Sequence, residues 1–142
     1  MLHQSRVRCA VGMLAAILLC GCSERPVWEV AYPAKGSLTF RGKPVASADI
    51  VLFPVDTSWP ETVRPRARTK ADGSFEVWTY EQGDGAPAGT YRITLVHHEV
   101  GFSKDAVVAK PNDLPKQYER PDSNDLRITI SAGENQIPGI SL

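Results

Sequence analysis

Arg64, Arg66, Arg68 and Lys70 occupy alternate positions, and an extended chain puts all four on one face with Ala67 and Thr69 on the other. A stripe of this kind can grip an anionic polysaccharide or lipid headgroups. Equally, it is a solvated strand face whose charges discourage edge-to-edge pairing, and this plainer role is the expectation. Trp59, beside Pro60, and the pair Trp78 and Tyr80 offer aromatic surface to a sugar or a protein partner. They serve just as well as covers over the core or a neighbouring strand. His97-His98-Glu99 invites a metal, but adjacent residues of a strand face opposite sides, so the two imidazoles do not close on one ion. Asp84-Gly85 has only Glu81 as a nearby second carboxylate, too few oxygens for a calcium loop, and reads as a turn. Asp122, Asn124 and Asp125 likewise cap and turn the chain. No metal and no cofactor is expected, and no nucleophile stands in a Gly-x-Ser-x-Gly elbow. Catalytic residues are therefore expected to be absent, and the chain to be no enzyme.

The chain has 142 residues, with Lys+Arg and Asp+Glu both 16, so no basic excess draws nucleic acid. No aromatic residue interrupts the arginine stripe in sequence, which disfavours single-stranded nucleic acid further. Cys9, Cys20 and Cys22 all fall in the first 22 residues, which excludes a disulfide framework from everything downstream. Arg6 and Arg8 precede an apolar run from Cys9 to Cys20. That run fits a signal-peptide core and is shorter than the ~20 residues that span a bilayer. With residues 1–21 removed, two of the 16 cations go and no acid, leaving 14 against 16. About 110 remaining residues suffice for one core, burying about 65% of their unfolded surface.

The elements that position these side chains read as strands. Ser37 to Phe40 alternates, with Leu38 and Phe40 on one face; Gly42 and Pro44 reverse the chain, and Ile50-Val-Leu-Phe53 forms the second arm of a hairpin. Pro54 ends it, and Asp56 to Pro65 is a crossing loop. Ala71-Asp-Gly73 marks the next hairpin. After it Phe75, Val77 and Thr79 share one face, and Glu76, Trp78 and Tyr80 the other. Thr90 to His98 is the longest strand, with Tyr91, Ile93, Leu95 and His97 on one side. Gly101 to Pro121 reads as an irregular insertion in which Leu114 and Tyr118 reach the core from a single turn. Leu126, Ile128 and Ile130 alternate, and Gln136 to Leu142 completes a closing hairpin. The segment Ser23 to Pro33, with Pro26 and Pro33, reads as a spacer in which Trp28 packs on the sandwich edge or dips into headgroups.

Gly36 to Val51, Ala71-Asp-Gly-Ser-Phe75 and Ala88-Gly-Thr-Tyr-Arg-Ile-Thr94, in this order, resemble the carboxypeptidase regulatory-like domain over residues 33 to 142. The resemblance implies a seven-stranded antiparallel Greek-key β-sandwich of the prealbumin (transthyretin-like) type and an accessory or adhesive role. The chain has Ser47 where many members have glycine. Leu19-Cys-Gly-Cys22 resembles the lipobox of bacterial lipoproteins, which implies cleavage between Gly21 and Cys22 and acylation of the Cys22 thiol. Two or more acyl chains anchor a protein stably, at about 0.8 kcal/mol per buried CH₂. Ser23 is not the aspartate that retains some lipoproteins at the inner membrane, which points to the outer one. Leu114-Pro-Lys-Gln-Tyr118 is similar to an element of short bacterial lipoproteins with one such domain.

The expected organisation is thus a signal peptide (1–21), a lipidated Cys22 with spacer (22–33) and a β-sandwich (34–142). The expected task is binding, structural or adhesive, outside the cytoplasm, with the membrane as one partner and an envelope protein or polysaccharide as the other. One alternative is a carrier or sensor of a small hydrophobic ligand held between the sheets. Another is the transthyretin-like hydrolase, whose carboxy-terminal Tyr-Arg-Gly-Ser has no match in Gly139-Ile-Ser-Leu142.

Overall fold

Wherever apolar and polar residues alternate, the chain is extended and its apolar set points inward. The computed structural model describes residues 25–104 and 106–142. Its strands are Ala31–Tyr32 (β1), Ala34–Phe40 (β2), Lys43–Pro44 (β3), Asp49–Pro54 (β4), Arg66–Arg68 (β5) and Ser74–Glu76 (β6). They continue with Ala86–Pro87 (β7), Gly89–Val96 (β8), Val100–Ser103 (β9), Ala106–Ala109 (β10), Arg127–Ile130 (β11), Asn135–Gln136 (β12) and Ile140–Ser141 (β13). Single 3₁₀ turns occur at Val27–Glu29 and Lys116–Glu119. Among the described residues no helix is long and apolar enough to cross a membrane. Gly21, Cys22 and the whole leader lie outside the described residues.

One sheet has the order β11-β8-β4-β5, all antiparallel. The other is centred on β2, flanked on one side by β6 and β3 in succession and on the other by β12 and β13. Taking each flank as one lane, four strands face three, which makes the seven-stranded sandwich. β4 and β5 form a hairpin, the chain crosses over for β6, and β8 returns to lie beside β4, which is the Greek-key path. The inward side chains interdigitate and fill the interior: Leu38, Phe75 and Ile137 from one sheet meet Ile50, Leu52, Tyr91, Ile93, Leu95, Ile128 and Ile130 from the other. Leu114 is buried as a member of the core, and Tyr118, from the 3₁₀ turn, packs against that core half-buried, so both reach it as the sequence suggests.

Two expected hairpins turn out differently. The reversal after β2 is real: Arg41 and Gly42 both have positive φ, and Phe40 pairs with Lys43. Its second arm ends after Pro44, and Val45–Ala48 carries the chain to the opposite sheet, where β4 begins. Thr69 fixes the crossing, its Oγ1 accepting from the Ala48 N–H at 2.8 Å and its carbonyl accepting from the Ser47 N–H at 2.9 Å. At the other end, β11 stays in the four-stranded sheet while β12 and β13 cross and pair with β2 in parallel. These are the departures from a wholly antiparallel fold. The insertion is also more regular than its sequence suggests, because β9 and β10 form an antiparallel ribbon that exposes Val100, Phe102 and Val107. Of the expected spacer, Ala31–Tyr32 pairs with β7, so this part belongs to the folded body.

Ser47 has a φ of 59°. A left-handed conformation costs a side-chain-bearing residue about 1–2 kcal/mol, part of which glycine returns as lost chain entropy. Ser47→Gly is therefore expected to raise the unfolding free energy by about 0.5–1 kcal/mol, read from denaturant midpoints at constant m. A lower midpoint would show that the serine is not strained.

Tyr91 is wholly buried, and its hydroxyl donates to the Pro87 carbonyl at 2.6 Å. Burial holds its phenol well above the ordinary tyrosine range. A raised pKa means that the folded state binds the proton more tightly, so the associated stability is complete below about pH 10 and falls as pH rises beyond it. The loss is about 1.4 kcal/mol per pH unit until the folded pKa is reached. Tyr91→Phe should cost about 1–2 kcal/mol at pH 8 through the orphaned carbonyl, and flatten the decline between pH 10 and 11. An equally steep decline in the variant would assign it to other groups.

Candidate functional site: a basic and aromatic sheet face

The parity that buries Pro65, Ala67 and Thr69 turns Arg64, Arg66 and Arg68 outward. β5 is an edge strand, held by β4 and by one bridge in which the Arg66 and Trp78 N–H groups donate to each other's carbonyls at 2.9 Å. That bridge brings Trp78 to the arginine row. The Arg66 guanidinium lies 3.8 Å from the Trp78 ring centroid, and the Arg64 guanidinium lies 4.9 Å from that of Phe53. Aromatics absent from the stripe in sequence are therefore interleaved with it in space. Arg68 reaches Asp49 at 3.6 Å. Lys70 turns away to Glu76 at 3.3 Å, and Glu76 also receives Lys35 at 3.7 Å.

Cross-strand register extends the face. Val51 stands between Arg66 and Thr94, Phe53 pairs with Arg92, and Arg92 pairs with Arg127. Arg92 is tied to Asp122, and Arg127 donates to the Asn124 and Leu126 carbonyls at 3.3 and 3.0 Å. Asn124 is itself buried, its amide donating to the Ile93 and Arg120 carbonyls, so it fixes the chain beside this row. A shallow depression of about 360 Å³ is lined by Asp49, Val51, Arg66, Ala67, Arg68 and Trp78. Among the described residues Arg64 and Arg66 have no carboxylate partner. Arg64 gives one N–H to the Val63 carbonyl at 3.2 Å; the remaining edges of a stacked guanidinium can meet a carboxylate, sulfate or phosphate, and the indole adds apolar surface beside them.

The other aromatics singled out in sequence lie elsewhere. Trp59 folds over the end of the core, its ring 6.0 Å from Tyr91 and 6.4 Å from Trp28. Tyr80 is 51% exposed, and its hydroxyl donates to the Trp28 carbonyl. Burial and the nearby Glu29 and Asp84 charges push the Tyr80 phenol up. Sequence parity gave no notice of Phe53, Arg92 or Arg127 as members of the face, although each occupies an outward position of its strand. The loops around the face are closed by side chains. Asp72 accepts from the Ser74 hydroxyl at 2.6 Å and its N–H at 2.9 Å, which holds its carboxyl below the usual range. Asp56 and Ser58 repeat this arrangement with the same effect. Asp84 accepts from the N–H groups of Thr79, Tyr80 and Glu81, which makes its loop a side-chain-closed turn.

His97 and His98 diverge, His97 Nδ1 lying 2.7 Å from Asp113 Oδ1 and His98 Nδ1 2.9 Å from the Lys110 carbonyl. Among the described residues no three His, Cys, Asp or Glu side chains are grouped to hold a metal ion.

No known family profile matches the chain, and no curated protein sequence is significantly similar to it. Among solved structures it is similar to part of a 9R-lipoxygenase from Cyanothece, at 15% identity and a TM-score of 0.43, over 84% of this chain and 17% of that one. It is similar to a candidate carbohydrate-binding protein from Pseudomonas aeruginosa at 14% identity and a TM-score of 0.42, over 79% of this chain and 88% of that one. The major pilin subunit of Bacillus cereus aligns at 13% identity and a TM-score of 0.46, over 79% of this chain and 30% of that one.

Proposed function

We propose that this protein is a lipid-anchored component of a bacterial cell envelope whose β-sandwich binds an anionic polysaccharide across the arginine and aromatic face. The observation that carries the reading is the stacking of Arg66 on Trp78 at 3.8 Å beside the depression, with Arg64 on Phe53 and neither cation spent on a carboxylate among the described residues. Sugar rings carry apolar faces that lie on indole, and their acidic substituents accept from guanidinium edges. The membrane contact is assigned to acyl chains on Cys22, and the work to the surface of the sandwich rather than to a reactive centre.

The test uses the full-length protein and immobilised heparin or polygalacturonate, with neutral dextran as the control. Wild type is expected to bind both polyanions in a salt-sensitive way and to ignore dextran. Trp78→Ala and Arg66→Ala should each weaken binding about tenfold. Arg66→Lys, which keeps the charge but not the planar stack, should recover little of it. Equal binding by wild type, W78A and R66A would overturn the assignment. Labelling with a palmitate analogue, lost in Cys22→Ala, tests the tether separately.

A further inference from the structure

A second concavity shares no lining residue with the depression on the arginine face. It has a volume of about 480 Å³ and lies between the β2–β3 turn and the segment that returns from the β9–β10 ribbon. Phe40, Pro44, Val45 and Leu114 give it apolar walls, and Arg41, Lys43, His97, Glu99 and Asp113 supply its charge. The size falls within the range of small-molecule sites, about 300–1,000 Å³.

The charges in this concavity are unequally committed. Glu99 is bound to Lys110 at 2.6 Å, and Asp113 to His97 at 2.7 Å. The Glu99 carboxylate also holds the Lys110 ammonium above its ordinary pKa. Arg41 lies 5.0 Å over the Phe40 ring, and neither Arg41 nor Lys43 has a carboxylate partner among the described residues. Two cations are left facing an apolar hollow.

His97 is fixed from three directions. Its ring meets Asp113, its N–H donates to Asn112 Oδ1 at 2.9 Å, and its carbonyl accepts from the Asp113 N–H at 3.3 Å. Asn112 Oδ1 also accepts from the Leu114 N–H at 3.2 Å, which ties the floor of the hollow to the same loop. With Nδ1 directed at a carboxylate, Nε2 has no protein partner among the described residues. A ring nitrogen oriented in this way is suited to a hydrogen bond from outside the protein.

The geometry points to a binding site for a small organic carboxylate with an apolar body. The carboxylate would lie on Arg41 and Lys43, the body against Phe40, Val45 and Leu114, and a polar substituent on His97. The site is independent of the polysaccharide face.

Calorimetric titration of the full-length protein with benzoate tests this, with benzyl alcohol as the uncharged analogue. Saturable benzoate binding with a dissociation constant of about 1 mM or tighter is expected, at least tenfold stronger than for benzyl alcohol. Arg41→Gln/Lys43→Gln should weaken it about tenfold or more while Arg66→Ala leaves it unchanged. Lys43→Gln alone, at an exposed position, should lose a smaller part and guards against misfolding of the double variant. Absence of saturation, equal affinity for benzyl alcohol, or unchanged binding in both charge variants would overturn the site. So would loss of binding in R66A instead, which would move benzoate to the other face.

Discussion

Phe75→Ala is expected to lower the unfolding free energy by about 4 kcal/mol, within the range of about 3–5 kcal/mol for removing a buried phenyl ring. The residue is 1% exposed and joins β6 to both sheets. The hole left behind resists collapse because its opposite wall is already bare of side chain. A Cβ on Gly36, its partner in β2, would stand 2.5 Å from the Phe75 ring, so the ring lies directly on the backbone of the central strand. Deleting it strips β2 on its core face. Denaturant titration at unchanged m measures the effect, and a loss under about 2 kcal/mol would show that β6 can close onto β2 without the ring.

Gly85→Ala is expected to cost about 3 kcal/mol or more, from two additive causes. Its φ of 92° is foreign to L residues, which costs about 1–3 kcal/mol. A Cβ there would also fall 1.7 Å from the Tyr32 carbonyl oxygen and 2.2 Å from its carbon. Both are backbone atoms, so no rotamer change relieves the overlap, and β1 must separate from β7. Trp28, which packs on Trp59 just before β1, should move with it. Tryptophan fluorescence together with denaturant titration checks both parts. A variant of wild-type stability and emission would mean that residues 31–32 are not held in the ladder.

Much of the architecture was legible because inward and outward parity is a local property. Leu38, Tyr91, Ile93, Leu95, Ile128 and Ile130 sit where alternation puts them. Chain reversals were legible for the same reason, since Gly42 and Asp72-Gly73 specify a turn without outside help. What a turn does not specify is the sheet that its second arm joins. Val45–Ala48 leaves β2 because Thr69, twenty-odd residues on, supplies the hydrogen bonds that receive it. The β9–β10 ribbon went unseen because Val100, Phe102 and Val107 are exposed, so no buried face imposed a contrast on the pattern. At the candidate site the arginines were visible from spacing. Their aromatic partners were not, because Phe53 arrives from the neighbouring β4 through register and Trp78 through one isolated bridge.

The parallel seam between β2 and β13 has a mechanical consequence. Along it the Leu142 N–H donates to the Thr39 carbonyl at 3.0 Å, just past its end the Arg41 N–H donates to the Leu142 carbonyl at 2.9 Å, and the adjoining parallel pairing of β2 with β12 adds the Ile137 N–H donating to the Lys35 carbonyl at 2.7 Å. Tension applied ahead of residue 34 and beyond residue 141 would drag these two strands lengthwise past each other. The bonds then share the load and must rupture together, whereas a peeling geometry would break them one at a time. Were the domain held ahead of β2 and pulled beyond β13, this seam would take the load in shear.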